Sequence, residues 1–231
     1  MFDRGASTEF ELIDEWDAGM SWSAHPQEGG MRASHALLLD DGVWILDPLD
    51  APGIYDKIET LGEVNGVLVC SSWHSRDADT FAERFDVPIL APRGMDRIEK
   101  QLTHSIKWFE GDLADAGVTV IHRRPIPGFV EAILYHESSA TLYVPESLGT
   151  APYYRVGTER LGTPLLLRLF PPREVLELTP SRILVGHGAG VTEEPTAALQ
   201  DAIQGSRRRF SRALISHGKT AVQTGISAIR G

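Results

Sequence analysis

The residues best suited to chemistry follow directly after short apolar runs of the sequence. His74, Arg76 and Asp77 come after the run VLVC, Glu146 comes after LYVP, and His187 comes after ILVG. Imidazole nitrogens and carboxylate oxygens can ligate a divalent metal ion, and the same groups can transfer protons to or from a substrate. The sequence therefore offers two histidines and two acids for a metal site or for acid–base catalysis.

Other reactive side chains in the same stretch fit a structural role better. Ser72 stands two positions before His74, too close on one loop to converge with it, and the chain has no Gly-x-Ser-x-Gly turn. Cys70 ends a predicted buried strand, where a thiol behaves as a small apolar side chain. The run GHGAG lacks the glycine spacing and the early position of a dinucleotide-binding loop. We therefore expect neither a serine hydrolase nor a dinucleotide site.

Two hairpins and several strand–helix units must position these residues. Asp41-Gly42 separates the apolar runs Ala36–Asp40 and Val43–Asp47, and Asp-Gly favours a two-residue hairpin turn because both positions need positive φ. EAILYHESSATLYVP, at 131–145, predicts a second hairpin. Further strands are predicted at 67–70, 87–92, 118–124 and 183–186, and helices at 53–61, 79–85, 95–102 and 172–178.

The two ends of the chain are less regular. A long helix is predicted from Glu193 to about His217, with Pro195 in its first turn and Gly205 as a weak point. The first 30 residues give only one element, an edge strand through EFELIDEW. Nine or ten strands with two hairpins, interleaved with helices, predict an α+β fold of the αββα type: two mixed sheets packed face to face with helices outside.

Composition bounds the class of protein. The 231 residues, 42% hydrophobic and 23% charged, fit a single domain over 1–231, and one cysteine excludes a disulfide framework. A net charge of −10 disfavours nucleic-acid binding. No apolar run approaches the roughly 20 residues of a membrane span, and the N-terminus lacks a secretory pattern. We expect a cytoplasmic protein whose partner is a small molecule, with no nucleic acid and no membrane; a homo-oligomer stays open.

Five segments, in order, resemble the motifs of the metallo-β-lactamase superfamily between about Ser34 and Ala198. WILDPLD, with Asp47, resembles the hairpin strand that ends in a buried Asp, and VLVCSSWHSRD resembles the strand that runs into a His-x-His-x-Asp-His loop. IPGF resembles a Pro-Gly-His segment, LYVPESL a strand ending in Gly-Asp, and ILVGHG a strand running into Gly-His-Gly. The resemblance implies the family's fold and a pocket at the strand ends.

Several positions depart from the family's metal ligands. Aligned without a gap, the six-residue loop motif falls on Ser72–Asp77, so that its second His is His74, its Asp is Arg76 and its last His is Asp77. The His of the Pro-Gly-His segment falls on Phe129. The resemblance therefore implies that the three-histidine site is lost, since His74 is its one remaining ligand.

Two interpretations of the family's second metal site stay open. Asp77, Glu146 and His187, together with His74, could hold a single zinc, manganese or iron ion. Arg76 opposes a cation at this place because guanidinium is a fixed positive charge. Pairing of Arg76 with Asp77 or Glu146 would give a charge-balanced cluster with no cofactor, and this is our first expectation. An Arg76 that points outward, with the four other residues converging, would instead favour a metal.

The resemblance also implies a hydrolase-like protein whose substrate carries an ester, thioester, lactam or phosphodiester bond. If the protein is active, the catalytic residues are His74, Asp77 and His187. Four residues are expected at the substrate pocket, where packing is the alternative role for the last three: Arg76, His35, Tyr153 and Tyr154.

Three functions remain open from the sequence. The first is a hydrolase-like protein with an eroded metal site, active or inactive. The second is a mononuclear metal-dependent hydrolase that uses His74, Asp77, Glu146 and His187. The third is a non-catalytic protein that binds a small ligand or acts as a scaffold.

Overall fold

The computed structural model describes residues 2, 3 and 5–218, and in that part of the chain eleven strands form two sheets. The larger sheet follows chain order: β1 (Glu11–Trp16), β2 (Gly19–Ser23), β3 (Ser34–Leu39), β4 (Gly42–Leu46), β5 (Val64–Leu68), β6 (Ile89–Pro92) and β7 (Ile106–Phe109). Strands β1 to β4 pair antiparallel, whereas β4 to β7 pair parallel. The sheet is therefore mixed, with hairpins at one side and strand–helix units at the other.

The smaller sheet contains the last four strands in the order β11-β10-β9-β8. They are β8 (Val118–Arg123), β9 (Glu131–His136), β10 (Thr141–Val144) and β11 (Arg182–Val185). The β8–β9 and β9–β10 pairs are antiparallel, and β10 pairs parallel with β11. The helices are α1 (Ile54–Glu59), α2 (Ala78–Phe85), α3 (Asp96–Glu99) and α4 (Pro195–Gly205).

Alternation along the strands divides the core into layers. On β4, Val43 and Ile45 face the cluster that contains the helices α1 and α2, while Trp44 and Leu46 face the second sheet. On β10, Tyr143 lies in the cluster between the sheets, and its neighbours Leu142 and Val144 pack with α4. Successive side chains of a strand point to opposite faces, so each sheet buries apolar groups on both sides. The predicted αββα sandwich is confirmed by this arrangement.

Three elements differ from the sequence prediction. Strands β2 and β7 were not predicted: GMSWS carries two large apolar residues among small and polar ones, and IKWF, although apolar at three of its four positions, is only four residues long. The segment at 172–178 forms a 3₁₀ turn, Arg173–Val175, rather than a helix. Its amides donate to carbonyl oxygens three residues back, as from Val175 to Pro172 and from Leu176 to Arg173, which is the 3₁₀ spacing.

The predicted long C-terminal helix is interrupted. It stops at Gly205, turns at 206–209 and resumes as a helical stretch at 210–218. The guanidinium of Arg209 lies where a Cβ at position 205 would stand, and it pairs with Glu159 at 3.1 Å. The weak point at Gly205 is therefore a break. Among the residues described, no helix is long and apolar enough to cross a membrane.

Candidate functional site

The candidate site lies where the carboxyl-terminal ends of strands from the two sheets meet. Asp47 follows β4, His74 lies on the loop after β5, Glu146 follows β10 and His187 follows β11. Strands β4 and β5 are parallel neighbours in one sheet, and β10 and β11 are parallel neighbours in the other. Parallel neighbours end at the same edge, so packing of the two sheets brings these four side chains together.

Three of these residues converge on one point. The Nε2 atom of His74 lies 2.7 Å from Oε1 of Glu146, and Nε2 of His187 lies 3.5 Å from the same oxygen. All three side chains are buried, and a ligand atom from each lies within 4.8 Å of the others. His74, Glu146 and His187 are called the central triad below.

A separate partner holds the outer atom of each member of the central triad. Nδ1 of His74 lies 2.9 Å from Oδ2 of Asp47, and Nδ1 of His187 lies 2.8 Å from the carbonyl oxygen of Gly30. The hydroxyl of Tyr154 donates to Oε2 of Glu146 at 3.2 Å. Because an N–H at Nδ1 leaves Nε2 free to act as a ligand, the inner atoms are the ones left for an ion or a substrate.

Asp47 is the most constrained partner of the site. It is fully buried, adopts a left-handed backbone with φ of 46°, and accepts hydrogen bonds from the Cys70 amide at 2.8 Å and the Tyr143 hydroxyl at 2.5 Å. Burial opposes its ionisation, but the neighbouring His74 and Arg76 lower the pKa of Asp47 below its usual range. A buried anion therefore fixes the orientation of the His74 ring.

The charges within the site set its protonation. Burial and Arg76 both act to lower the pKa of His74, yet the carboxylates of Asp47 and Glu146 outweigh them and raise it. Burial likewise opposes ionisation of Glu146, but His187 and His74 lower its pKa well below the usual carboxyl range. Without a metal ion, the carboxylates of Asp47 and Glu146 therefore favour the protonated form of His74.

Arg76 points into the site, but it pairs with neither carboxylate that the sequence suggested. Its Nη1 donates to the carbonyl oxygens of Ala33 at 2.6 Å and Asp47 at 2.7 Å, and its Nη2 donates to that of Gly186 at 3.3 Å. Within the described chain, no ion pair joins Arg76 to Asp77 or Glu146. The same Nη2 lies 3.2 Å from Nε2 of His74. Backbone carbonyls thus hold the guanidinium of Arg76, and the expectation that Arg76 pairs with Asp77 or Glu146 is wrong.

Asp77 lies outside the central triad. Its Oδ2 accepts a hydrogen bond from the backbone amide of Asp50 at 2.7 Å, and Asp77 is the N-cap residue of α2. Asp77 still lines the cavity, but it is not among the residues whose ligand atoms converge with those of His74. The set of four ligands considered from the sequence therefore becomes a set of three.

The other three residues expected at the pocket occupy two different places. Tyr153 and Tyr154 line the cavity, and the Tyr153 hydroxyl lies 2.9 Å from Nδ1 of His187. His35 is buried between the sheets, 2.7 Å from the Ser21 hydroxyl and 3.0 Å from the carbonyl oxygen of Val185, and it is not among the cavity's lining residues. The structural role weighed for His35 matches this placement.

Packing occupies two positions where the family motif has histidines. Phe129 is buried and its ring lies 4.5 Å, centroid to centroid, from that of Trp73. Ser72 accepts a hydrogen bond from the backbone amide of Val130 through its hydroxyl. Neither side chain belongs to the group of converging ligand atoms.

A cavity of about 420 Å³ opens in front of the central triad. Its wall includes Phe2, Trp73 and the guanidinium-bearing residues Arg32 and Arg97. The Phe2 ring lies 5.9 Å from the His187 ring and rests on Gly30, where a Cβ would come within 2.5 Å of it. Phe2 was not expected at the site, because nothing local in MFDRGAS distinguishes it.

The residues present fit one divalent metal ion better than two. Two imidazole nitrogens and one carboxylate oxygen form a donor set that zinc and iron accept, and the tethered outer atoms are the usual support of such ligands. Arg76 adds a fixed positive charge, which reduces the affinity for any cation. His74, Glu146 and His187 therefore form a candidate site for a single ion.

Comparison with known proteins supports the fold. No family model matches the chain, and no curated protein matches it. A metallo-β-lactamase from Hirschia baltica superimposes with a TM-score of 0.61 at 9% identity, over 85% of this chain and 98% of that one. A putative diflavin flavoprotein A 5 fragment from Nostoc sp. PCC 7120 gives 0.60 at 12% identity, over 87% and 98%. TTHA1623 in a di-iron-bound form gives 0.53 at 19% identity, over 72% and 92%. The chain thus has the metallo-β-lactamase fold.

Proposed function

We propose that this protein is a mononuclear metal-dependent hydrolase, in which His74, Glu146 and His187 hold one divalent ion. The observation that carries the proposal is the orientation of these three side chains. Each has its outer atom tied to a separate partner, and each directs its inner atom to the same point. A solved structure with the same fold is described as di-iron-bound, which supports iron as an ion to test first, and a set of two imidazoles and one carboxylate also suits zinc.

A bound ion would supply Lewis-acid activation of water and of a carbonyl or phosphoryl oxygen. Asp47 keeps a proton on Nδ1 of His74, so that Nε2 is the basic atom that faces the cavity. The Tyr154 hydroxyl neutralises part of the charge on Glu146 through its hydrogen bond. Phe2 and Trp73 exclude water from the walls, which strengthens electrostatic interactions inside the cavity.

Arg76 takes part in this proposal as a fixed cation. It replaces an Asp of the family motif, and three backbone carbonyls hold its guanidinium beside His74. A guanidinium in this place favours a substrate that develops negative charge during the reaction. The hydrolysed bond is therefore expected to be an ester, thioester, lactam or phosphodiester.

One observation favours a second candidate function, a metal-free protein that binds a small ligand. Nη2 of Arg76 lies 3.2 Å from Nε2 of His74, the atom that would have to ligate a metal. A protonated His74 between Asp47 and Glu146, with Arg76 nearby, makes a cluster of two positive and two negative charges. Such a cluster is balanced without any ion.

Metal analysis of protein purified without a histidine tag separates the two candidates. The hydrolase requires about one zinc, iron or manganese ion per chain. Adding the same ion to the chelator-treated protein should restore this stoichiometry. Activity is then measured on a panel of esters, thioesters, lactams and phosphodiesters, with His187→Ala as the inactive control. A chain that binds none of these ions at micromolar concentration contradicts the hydrolase. Ion binding without turnover of any substrate class contradicts catalysis but keeps the metal site.

A further inference from the structure

A buried acid lies behind the central triad without touching a ligand atom. Glu131, the first residue of β9, has no exposed surface. Its Oε1 accepts two hydrogen bonds from consecutive backbone amides, those of Glu146 at 2.8 Å and Ser147 at 2.7 Å. One oxygen of Glu131 therefore holds the turn that presents Glu146 to the site.

The second oxygen of Glu131 is also fully engaged. Oε2 accepts hydrogen bonds from the Ser147 hydroxyl and from Nη1 of Arg123, the latter at 3.2 Å. Arg123 is itself held by the carbonyl oxygen of Phe170 at 2.9 Å and by Glu174 at 3.3 Å. With both oxygens fixed, Glu131 cannot rotate away from the two amides.

The backbone around Glu131 reaches the other half of the site. Glu131 forms a β-bridge with Ser71, the amide of Ala132 donates to the carbonyl oxygen of Cys70 at 2.8 Å, and the amide of Ser72 donates to that of Val130 at 2.9 Å. These bonds hold the start of the loop that carries His74. The backbone at the beginning of β9 thus holds the loop that carries His74, and the side chain of Glu131 holds the turn that carries Glu146. The beginning of β9 therefore links the loops of two members of the central triad.

The turn after β10 needs such a partner. Two consecutive amides that are buried require acceptors, and leaving them unsatisfied costs free energy comparable to lost hydrogen bonds. A carboxylate accepts both more strongly than a neutral group would. Removal of this acceptor would let the turn relax, and Oε1 of Glu146 would then leave its position opposite Nε2 of His74.

We propose that Glu131 is a positioning residue for Glu146 and that it sets the affinity of the central triad for its ion. This inference rests on the proposed metal site. It predicts that Glu131→Met lowers metal affinity 10- to 100-fold, the range found for partners that orient metal ligands. The backbone link to Ser71 and Cys70 remains in this variant, so the effect reports on the side chain.

Asp79 provides a matched control on another part of the chain. Its carboxylate also accepts hydrogen bonds from two consecutive amides, those of Thr103 at 2.7 Å and His104 at 3.1 Å, and it does not line the cavity. Asp79→Leu should leave metal affinity within about twofold of the wild type, because the amides of Thr103 and His104 lie between α3 and β7 and not on a loop that carries a member of the central triad. The double variant Arg123→Met/Glu131→Met also removes the guanidinium that loses its buried partner and keeps only the half-exposed Glu174, and it replaces Glu131→Met if that variant does not fold.

Two readouts distinguish the possible results. Zinc affinity is measured by competition with a chelating dye, and the distance between His74 Nε2 and Glu146 Oε1 is measured in a crystal structure of the variant. Unchanged affinity in Glu131→Met, with a wild type that binds zinc, overturns the role of Glu131 alone. A wild type that binds no metal overturns the proposed function. The positioning role of Glu131 is then tested by the crystal structure alone: a distance of 2.7 Å kept between His74 Nε2 and Glu146 Oε1 in the variant overturns that role as well.

Discussion

Nε2 of His74 lies 2.7 Å from Oε1 of Glu146, and this contact joins the two sheets across the site. His74 follows β5 of the larger sheet, whereas Glu146 follows β10 of the smaller one. The site therefore exists only when both sheets are packed. A metal ion at this place must displace the proton between the two atoms, so metal binding and the charge of His74 are linked.

The first prediction concerns which acid is a ligand. Glu146→Ala should abolish stoichiometric metal binding because it removes one of the three ligand atoms that converge among the described residues. Asp77→Ala should keep metal binding because the carboxylate of Asp77 accepts the hydrogen bond of the Asp50 amide. Isothermal titration calorimetry with zinc measures the affinity and the stoichiometry of both variants. A loss of binding in Asp77→Ala would restore Asp77 to the ligand set, and retained tight binding in Glu146→Ala would remove the central triad as the site.

The local signals in the sequence were sufficient for most of the fold. Asp41-Gly42 fixes the β3–β4 hairpin, and alternation on β4 and β10 fixes which faces are buried. Strand β2 was missed because Ser21 and Ser23 look exposed in sequence, yet both are buried once β2 lies in the sheet between β1 and β3. Burial of small polar residues in this way depends on neighbouring strands, and no local pattern reports it.

The site was only partly predictable for a similar reason. His74, Glu146 and His187 could be found because each follows an apolar run, and the end of a strand is a local feature. The partners of Arg76 are backbone carbonyls of Ala33, Asp47 and Gly186, which any sequence possesses. Its position was therefore undecidable until the three segments were placed in space.

The second prediction concerns the charge of Arg76. Arg76→Met should tighten zinc binding on the order of tenfold or more, about 1.4 kcal/mol, because a fixed cation beside the ligand His74 repels the ion. Arg76→Lys keeps the charge and should keep the weaker affinity. Dye competition compares the three proteins. If Arg76→Met binds zinc more weakly than Arg76→Lys, the guanidinium supports the ion rather than opposing it.

The third prediction is a loss of stability in mild acid that arises from His35. Burial is the largest cause that lowers the pKa of His35 to about 3, and Arg76 acts in the same direction. The unfolded chain binds a proton near pH 6.5 and the folded chain does not, so stability falls as the pH falls below 6.5. Between pH 6.5 and 5 the loss is about 2 kcal/mol, at roughly 1.36 kcal/mol per pH unit.

Urea denaturation of chelator-treated protein measures this slope. The raised pKa of His74 affects stability mainly above pH 6.5, and the lowered pKa values of Asp47 and Glu146 act mainly below about pH 4.5, so these three groups contribute little to the slope between pH 6.5 and 5. His35→Gln should flatten the slope whatever its effect on absolute stability. Phe10→Ala, which removes packing on the core but no titratable group, should keep the wild-type slope. Equal slopes in wild type and His35→Gln would show that another group takes up the proton.

The last prediction concerns Phe2, which covers one side of the central triad. Its ring rests on Gly30 and beside His187, and the backbone of Asp3 is held by Glu28 at 3.0 Å and Arg32 at 2.5 Å. Phe2→Ala should therefore release zinc to excess chelator several-fold faster, since the ligand His187 loses its apolar cover while all three ligands remain. Stopped-flow transfer of zinc to a chelating dye measures the rate.

Phe10→Ala is the control for this effect, because Phe10 packs on the core cluster that contains α1 and α2 and does not line the cavity. The control should release zinc at the wild-type rate. Glu28→Gln, which weakens the hold on Asp3, should accelerate release in the same direction as Phe2→Ala but by less, since the phenyl ring remains. Identical rates in wild type and Phe2→Ala would mean that the ion leaves by a path on which Phe2 does not lie, and the part of the cavity wall formed by Arg97 is then the next to test.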